Sequence, residues 1–171
     1  MIRVELSPWR GDPSWEPEWN DFRTGSWEPV GLGEMPGDGF IFRYFQANVT
    51  FEIGGVSFSM PGIGNPVIDF VLALQTAVND FRASGQGVAD MSISPSTVIR
   101  LKERDGLAEV SASYVKNTAL VSIEEFQQAV WVLAQKAVSL IVEARPEASG
   151  NIYLNSVREK IGFPGQGDYA P

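Results

Sequence analysis

The sequence predicts an α+β fold, an antiparallel β-meander of about five to six strands with two long helices packed on one face. Three observations lead there. Gly54-Gly55 and Asp105-Gly106 each sit between runs of alternating apolar and polar residues, the local signature of a hairpin. Residues 67–81 and 123–144 carry apolar side chains at spacings of three and four, the period of a one-sided helix. Strands followed by a helix occur twice, an order that suits helices stacked on an antiparallel sheet.

Element by element, IRVEL at residues 2–6 alternates Ile2, Val4 and Leu6 with Arg3 and Glu5 and reads as a half-buried strand. Residues 8–39 show neither period and read as a long irregular segment rich in Trp, Pro and acids. Alternation returns over 40–53, is broken by Gly54-Gly55, and resumes in Val56, Phe58 and Met60. Asn65 is placed to cap the first long helix and Pro66 suits its first position. Val67, Phe70, Val71, Leu74, Ala77, Val78 and Phe81 form its core stripe, and Gly85 suits a left-handed terminus. MSISP and STVIRLKE read as strands, and the latter turns through Asp105-Gly106 into LAEVSASYV. Ser122 and Glu125 form a capping box, with Val121 and Phe126 placed as its hydrophobic staple. The second long helix follows, with a stripe of Ile123, Phe126, Val130, Leu133, Ala137, Leu140, Ile141 and Ala144, and Pro146 closes it. Residues 151–161 suit a short helix, and the Gly/Pro-rich residues 162–171 read as a loose tail.

With 171 residues, 44% of them hydrophobic and 20% charged, the chain is expected to form a single globular domain over 1–171. It contains no cysteine, which removes disulfides and thiolate chemistry, and no histidine, which removes imidazole bases and imidazole metal ligands. Catalysis would have to rest on carboxylates, Lys, Tyr or Arg, so we expect no enzymatic activity and no cofactor. The start lacks the apolar run of a secretion signal and no stretch of about 20 apolar residues exists, which gives an expectation of a cytoplasmic protein without membrane contact. The net charge is −8, of which residues 1–40 contribute −5. Such a surface repels nucleic acid and favours basic partners.

Few motifs carry chemistry. GLGEMPG and GFPGQG lack the spacing of a phosphate loop. Glu124 and Glu125 open a helix, where capping and the helix dipole account for them. Arg10-Gly11-Asp12 and Asn48-Val49-Thr50 match short motifs that recur by chance. What stands out is the stretch SPWRGDPSWEPEWNDF and its continuation, which bring together Trp9, Trp15, Trp19 and Trp27 with Glu16, Glu18 and Asp21. Three readings of these tryptophans are open: they cover apolar surface of their own domain, they form a recognition surface steered by the neighbouring acids, or they stack on sugars. A second apolar line on the last long helix, Trp131, Val138 and Val142, lies outside its core stripe. It is a candidate oligomer face or docking face for the chain's own termini.

The succession FRYFQANVTFEIGGVSFS, NPVIDFVLALQTAVNDF, STVIRLKERDGLAEVSASYV and SIEEFQQAVWVLAQKAVSLI resembles a group of small bacterial α+β proteins that includes immunity proteins of polymorphic toxin systems. The likeness covers roughly residues 40–145. It is one of pattern: aromatic strand, hairpin, helix, basic hairpin with a DG turn, second helix. The resemblance implies a binder that blocks a cognate toxin and carries over no site residues. The expectation is therefore an acidic binding protein for a basic partner, with Trp9, Trp15, Glu16, Glu18, Trp19, Asp21 and Trp27 as candidate contacts. The alternatives are a small-molecule or carbohydrate-binding domain built on the tryptophans, and a structural homo-oligomer.

Overall fold

A computed structural model describes residues 1–19, 21–22, 29–59, 64–92 and 97–161. The fold is α+β, as the periodicities require, but its strands divide between two four-stranded sheets instead of one meander. In the first sheet β4 (Gln46–Ile53) is central. It pairs antiparallel with β1 (Ile2–Pro8) along its whole length, in the register Val4 to Phe51. Its other edge is shared by β5 (Val56–Ser57) and β6 (Asn65–Pro66). The second sheet is a meander in the order β10 (Val115–Val121), β9 (Leu107–Ala112), β8 (Val98–Arg104), β7 (Gln86–Asp90). A two-stranded ribbon, β2 (Asp21–Phe22) with β3 (Pro29–Val30), completes the strands among the described residues.

Both hairpins form where expected, because both turns supply two residues at positive φ. Gly54 and Gly55 stand at 57° and 85°, and Asp105 and Gly106 at 54° and 79°. The two long helices are α2 (Val67–Ser84), ended by Gly85 at φ 73°, and α3 (Ile123–Ala144), whose Ser122 Oγ accepts the Glu125 N–H at 3.1 Å. They pack on each other, α2 against β7 and α3 against β1. Phe51 of β4 lies edge-on to Phe70 of α2 and Phe126 of α3, with centroids 6.2 and 5.7 Å apart, and this junction is the centre of the core. The short α4 (Ile152–Lys160) forms within the predicted span, capped by Asn151, which accepts the Leu154 N–H at 3.0 Å.

Four expectations need correction. Residues 40–45 do not continue a strand; α1 (Gly37–Phe42) occupies this stretch. Phe40 and Phe45 are both fully buried and stack on each other at 5.6 Å. Being five residues apart, they would point to opposite faces of a strand; a helical turn followed by Phe45 at φ 57° lets both face inward. Asn65 and Pro66 pair with β4 as β6, and the N-cap position of α2 falls on Pro66. The strand read at MSISP instead ends at Asp90, as β7, and residues 93–96 lie outside the described residues. Within 8–39, the described residues hold single turns at Pro13–Trp15 and Leu32–Glu34, the β2–β3 ribbon and the start of α1, so the segment is less irregular than its composition suggests. Residues 162–171 lie outside the described residues.

Candidate functional site

The Trp/acid segment docks through polar groups as much as through its rings. Asp12 is buried and caps the turn at Pro13–Trp15: its carboxylate accepts the Ser14 N–H at 2.9 Å and the Gln46 N–H at 2.6 Å. Ser14 Oγ accepts the Phe45 N–H at 2.8 Å. The Gln46 carbonyl receives both the Trp9 N–H at 3.0 Å and the Trp15 indole N–H at 2.7 Å. Beneath them lies Arg145, only 3% exposed, at the end of α3. Its guanidinium donates to the carbonyls of Ser14 at 3.0 Å and Trp19 at 2.9 Å, pairs with Glu147 at 2.6 Å, and sits 5.7 Å from the Trp19 ring centre. Burial pushes the Glu147 carboxyl up, but hydrogen bonds from its own backbone and from Arg145, with the guanidinium charge, outweigh this and leave it below its ordinary value.

This arrangement separates the candidate residues into two groups. Trp15 is buried edge-on against Phe45, with centroids 5.1 Å apart. Trp19 is half-buried against Tyr44 at 4.6 Å and Phe45 at 6.4 Å. Trp9 is half-buried over Gly11 and Gly64, where an added Cβ would overlap its ring. Glu16 and Glu18 stay exposed on the same stretch. Asp21 enters β2, opposite Val30, and Trp27 lies outside the described residues. Glu34 is exposed on the turn at Leu32–Glu34, which packs against the turn at Pro146–Gly150 that carries Glu147. The outcome is that Glu16 and Glu18 stay exposed on a stretch whose Trp15 and Trp19 rings pack against Tyr44 and Phe45.

Four of the anchoring residues were not singled out from sequence. Asp12 lay inside the discarded Arg10-Gly11-Asp12 tripeptide, yet Asp followed by Pro and Ser is a legible cap for a short turn. Ser14 and Arg145 had no local signal, since their partners lie 31 and 131 residues away. Asn151 caps α4 and also donates to the Leu32 and Met35 carbonyls at 2.8 and 2.9 Å; only the cap was legible.

On α3, Val138 is buried in the protein's own core, and Trp131 and Val142 are half-buried against it. The turn at Pro146–Gly150 and α4 pack on this helix, and Arg158 of α4 reaches Ser139 Oγ at 3.4 Å.

Three of the clefts among the described residues are open and shallow. Two of them, of about 310 and 370 Å³, flank Lys136 in the groove between β1 and α3. A third, of about 340 Å³, lies between Met35–Pro36 and the start of α4. Asp69 of α2 is buried, and burial raises its carboxyl above the ordinary range, while the Ser92 hydroxyl and N–H that it accepts at 2.7 and 2.9 Å, the main opposing effect, pull the other way. Its role is to tie the chain after β7 to the helix. Among the described residues no group of three or more carboxylates is placed to hold a metal ion, and no helix is long and apolar enough to cross a membrane. The outer face of the second sheet carries exposed Arg100, Lys102 and Arg104 beside exposed Val88, Leu107 and Leu120, so this side of the hairpin meets solvent. Comparison with protein-family models, with curated proteins and with solved structures finds no match for this chain.

Proposed function

We propose that this is a non-enzymatic binding protein whose acidic N-terminal segment holds a basic protein partner, with an immunity-type inhibitor of a bacterial toxin as the specific form. The observation that carries the reading is the pinning of residues 12–19 by Asp12, Ser14, Trp15 and Arg145, which presents Glu16 and Glu18 outward on a segment already ordered. Preordered acids lose little entropy on binding and attract a cationic surface over roughly a Debye length. Trp15 serves as an anchor, and the Trp19 ring is covered by Tyr44, Phe45 and Arg145, which supports a contact surface of charges more than a sugar platform.

The test compares proteins captured from the native lysate by the wild type and by a Glu16→Lys/Glu18→Lys variant. The association rate of the purified captured protein is then followed across ionic strength. A basic protein that binds the wild type, associates at least about tenfold more slowly with the variant, and slows with salt supports the reading. Equal capture by both forms, or a salt-independent rate, places the contact elsewhere.

A further inference from the structure

Among the described residues no strand pairs with the outer edge of β1. The Met1 carbonyl accepts the N–H of Gly54, just after β4, at 3.1 Å, and Trp9 gives its N–H to the Gln46 carbonyl at 3.0 Å. Odd-numbered residues of β1 therefore turn their main-chain groups toward β4, and by alternation Ile2, Val4 and Leu6 turn theirs away from it. The Val4 carbonyl confirms the direction, because Lys136 Nζ reaches across from α3 and donates to it at 2.8 Å. A lysine on a strand edge is a known device against unwanted pairing. Here it occupies the place that the N–H of an added strand would take.

The edge is also complementary to itself. An antiparallel copy of β1 centred on Val4 sets Val4 against Val4 of the second copy and Ile2 against Leu6 at both ends. Those three pairs exchange about six main-chain hydrogen bonds. The same register sets Arg3 opposite Glu5 of the second copy, twice, on the exposed face of the sheet. Ile2 and Leu6 are half-buried and line the two clefts beside Lys136, so an added strand has apolar walls to cover. Glu5 and Glu143 line the same cleft as Lys136 and offer its ammonium another place once the Val4 carbonyl is taken.

We propose that the free edge of β1 pairs with β1 of a second copy about a two-fold axis at Val4, joining two four-stranded sheets into one, and that Lys136 is the brake that sets the concentration at which this happens. The proposal is independent of the acidic segment and of the Trp131, Val138, Val142 line.

Sedimentation equilibrium from about 10 µM to 1 mM tests it. The wild type is expected to associate weakly and Lys136→Met at least about tenfold more tightly, a change of about 1.4 kcal/mol. Charge swaps carried in the Lys136→Met background then identify the register. Glu5→Arg alone opposes arginine to arginine and Arg3→Glu alone opposes glutamate to glutamate, so each is expected to be monomeric, while an equimolar mixture restores the dimer. A Lys136→Met protein that stays monomeric overturns the proposal. So does a dimer that either single swap leaves intact, or a mixture that fails to pair. Melting curves of the two swap variants, whose changes lie on exposed side chains, separate loss of pairing from loss of fold.

Discussion

Replacing Arg145 by alanine is expected to cost about 3–4 kcal/mol of folding stability. The guanidinium is 3% exposed and donates to two main-chain carbonyls, those of Ser14 and Trp19. A hydrogen bond from a cation contributes about 1.5 kcal/mol or somewhat more, and truncation leaves both carbonyls without a donor in a partly dry site. The stack on Trp19 adds about 0.5–1 kcal/mol. The pair with Glu147 adds less, because that carboxylate side chain is 48% exposed and screened. At about 2–4 °C per kcal/mol for a chain of this size, the melting temperature should fall by about 10 °C. Urea and thermal unfolding followed by tryptophan emission and by far-ultraviolet circular dichroism measure this directly. Lysine keeps the charge but not the planar fork, so Arg145→Lys should recover roughly half of the loss. If Arg145→Ala unfolded within about 1 kcal/mol of the wild type by both signals, the N-terminal segment would not be held by this side chain.

Other expectations follow from single contacts. Gly87→Ala places a Cβ on the Ala77 carbonyl of α2, a backbone atom that cannot turn aside, and should cost about 3 kcal/mol or more in urea unfolding; a loss under about 1 kcal/mol would mean that α2 and β7 are not in close contact. Tyr114→Phe removes the hydroxyl that donates to the Phe58 carbonyl at 2.9 Å, where β5 and the second sheet approach, and should cost about 1 kcal/mol at neutral pH. Burial pushes the Tyr114 phenol up to about 12, from 10.0 in its unperturbed state. Between those values the folded protein keeps a proton that the unfolded chain has shed, so wild-type stability should fall as pH rises from about 10 to about 12. The Phe variant should lack that part of the slope, and identical alkaline profiles would show that Tyr114 is not buried as described.

Much of the architecture was readable residue by residue where the cause is local. Gly54-Gly55 and Asp105-Gly106 supply positive φ at adjacent positions, which few other pairs tolerate, so the hairpins are dictated within four residues. Ser122 satisfies the Glu125 N–H of its own helix, and Gly85 ends α2 in a left-handed conformation. The core stripe of α2 was legible because its period is a property of one helix; on α3 it shifted to include Val138, because that helix is covered by α4 and the turn at Pro146–Gly150 as well as by β1 and α2.

In the Trp/acid segment, the sequence left open whether the tryptophans face solvent or core. A tryptophan among prolines and acids reads the same whether it faces solvent or core, and it is Phe45, Gln46 and Arg145, brought from 30 to 126 residues away, that turn Trp15 and Trp19 inward. The same holds for β7, whose Gly87 carries no strand signal and joins the sheet because α2 lies against it, and for the open edge of β1, which no local pattern separates from a central strand. Sequence alone thus determined the class, the turns and the long helices, since capping, glycine φ and helical period act within one element. Tertiary structure decided the two sheets, the inward tryptophans and the free edge, since each depends on what a stretch meets and burial is a relation between distant residues.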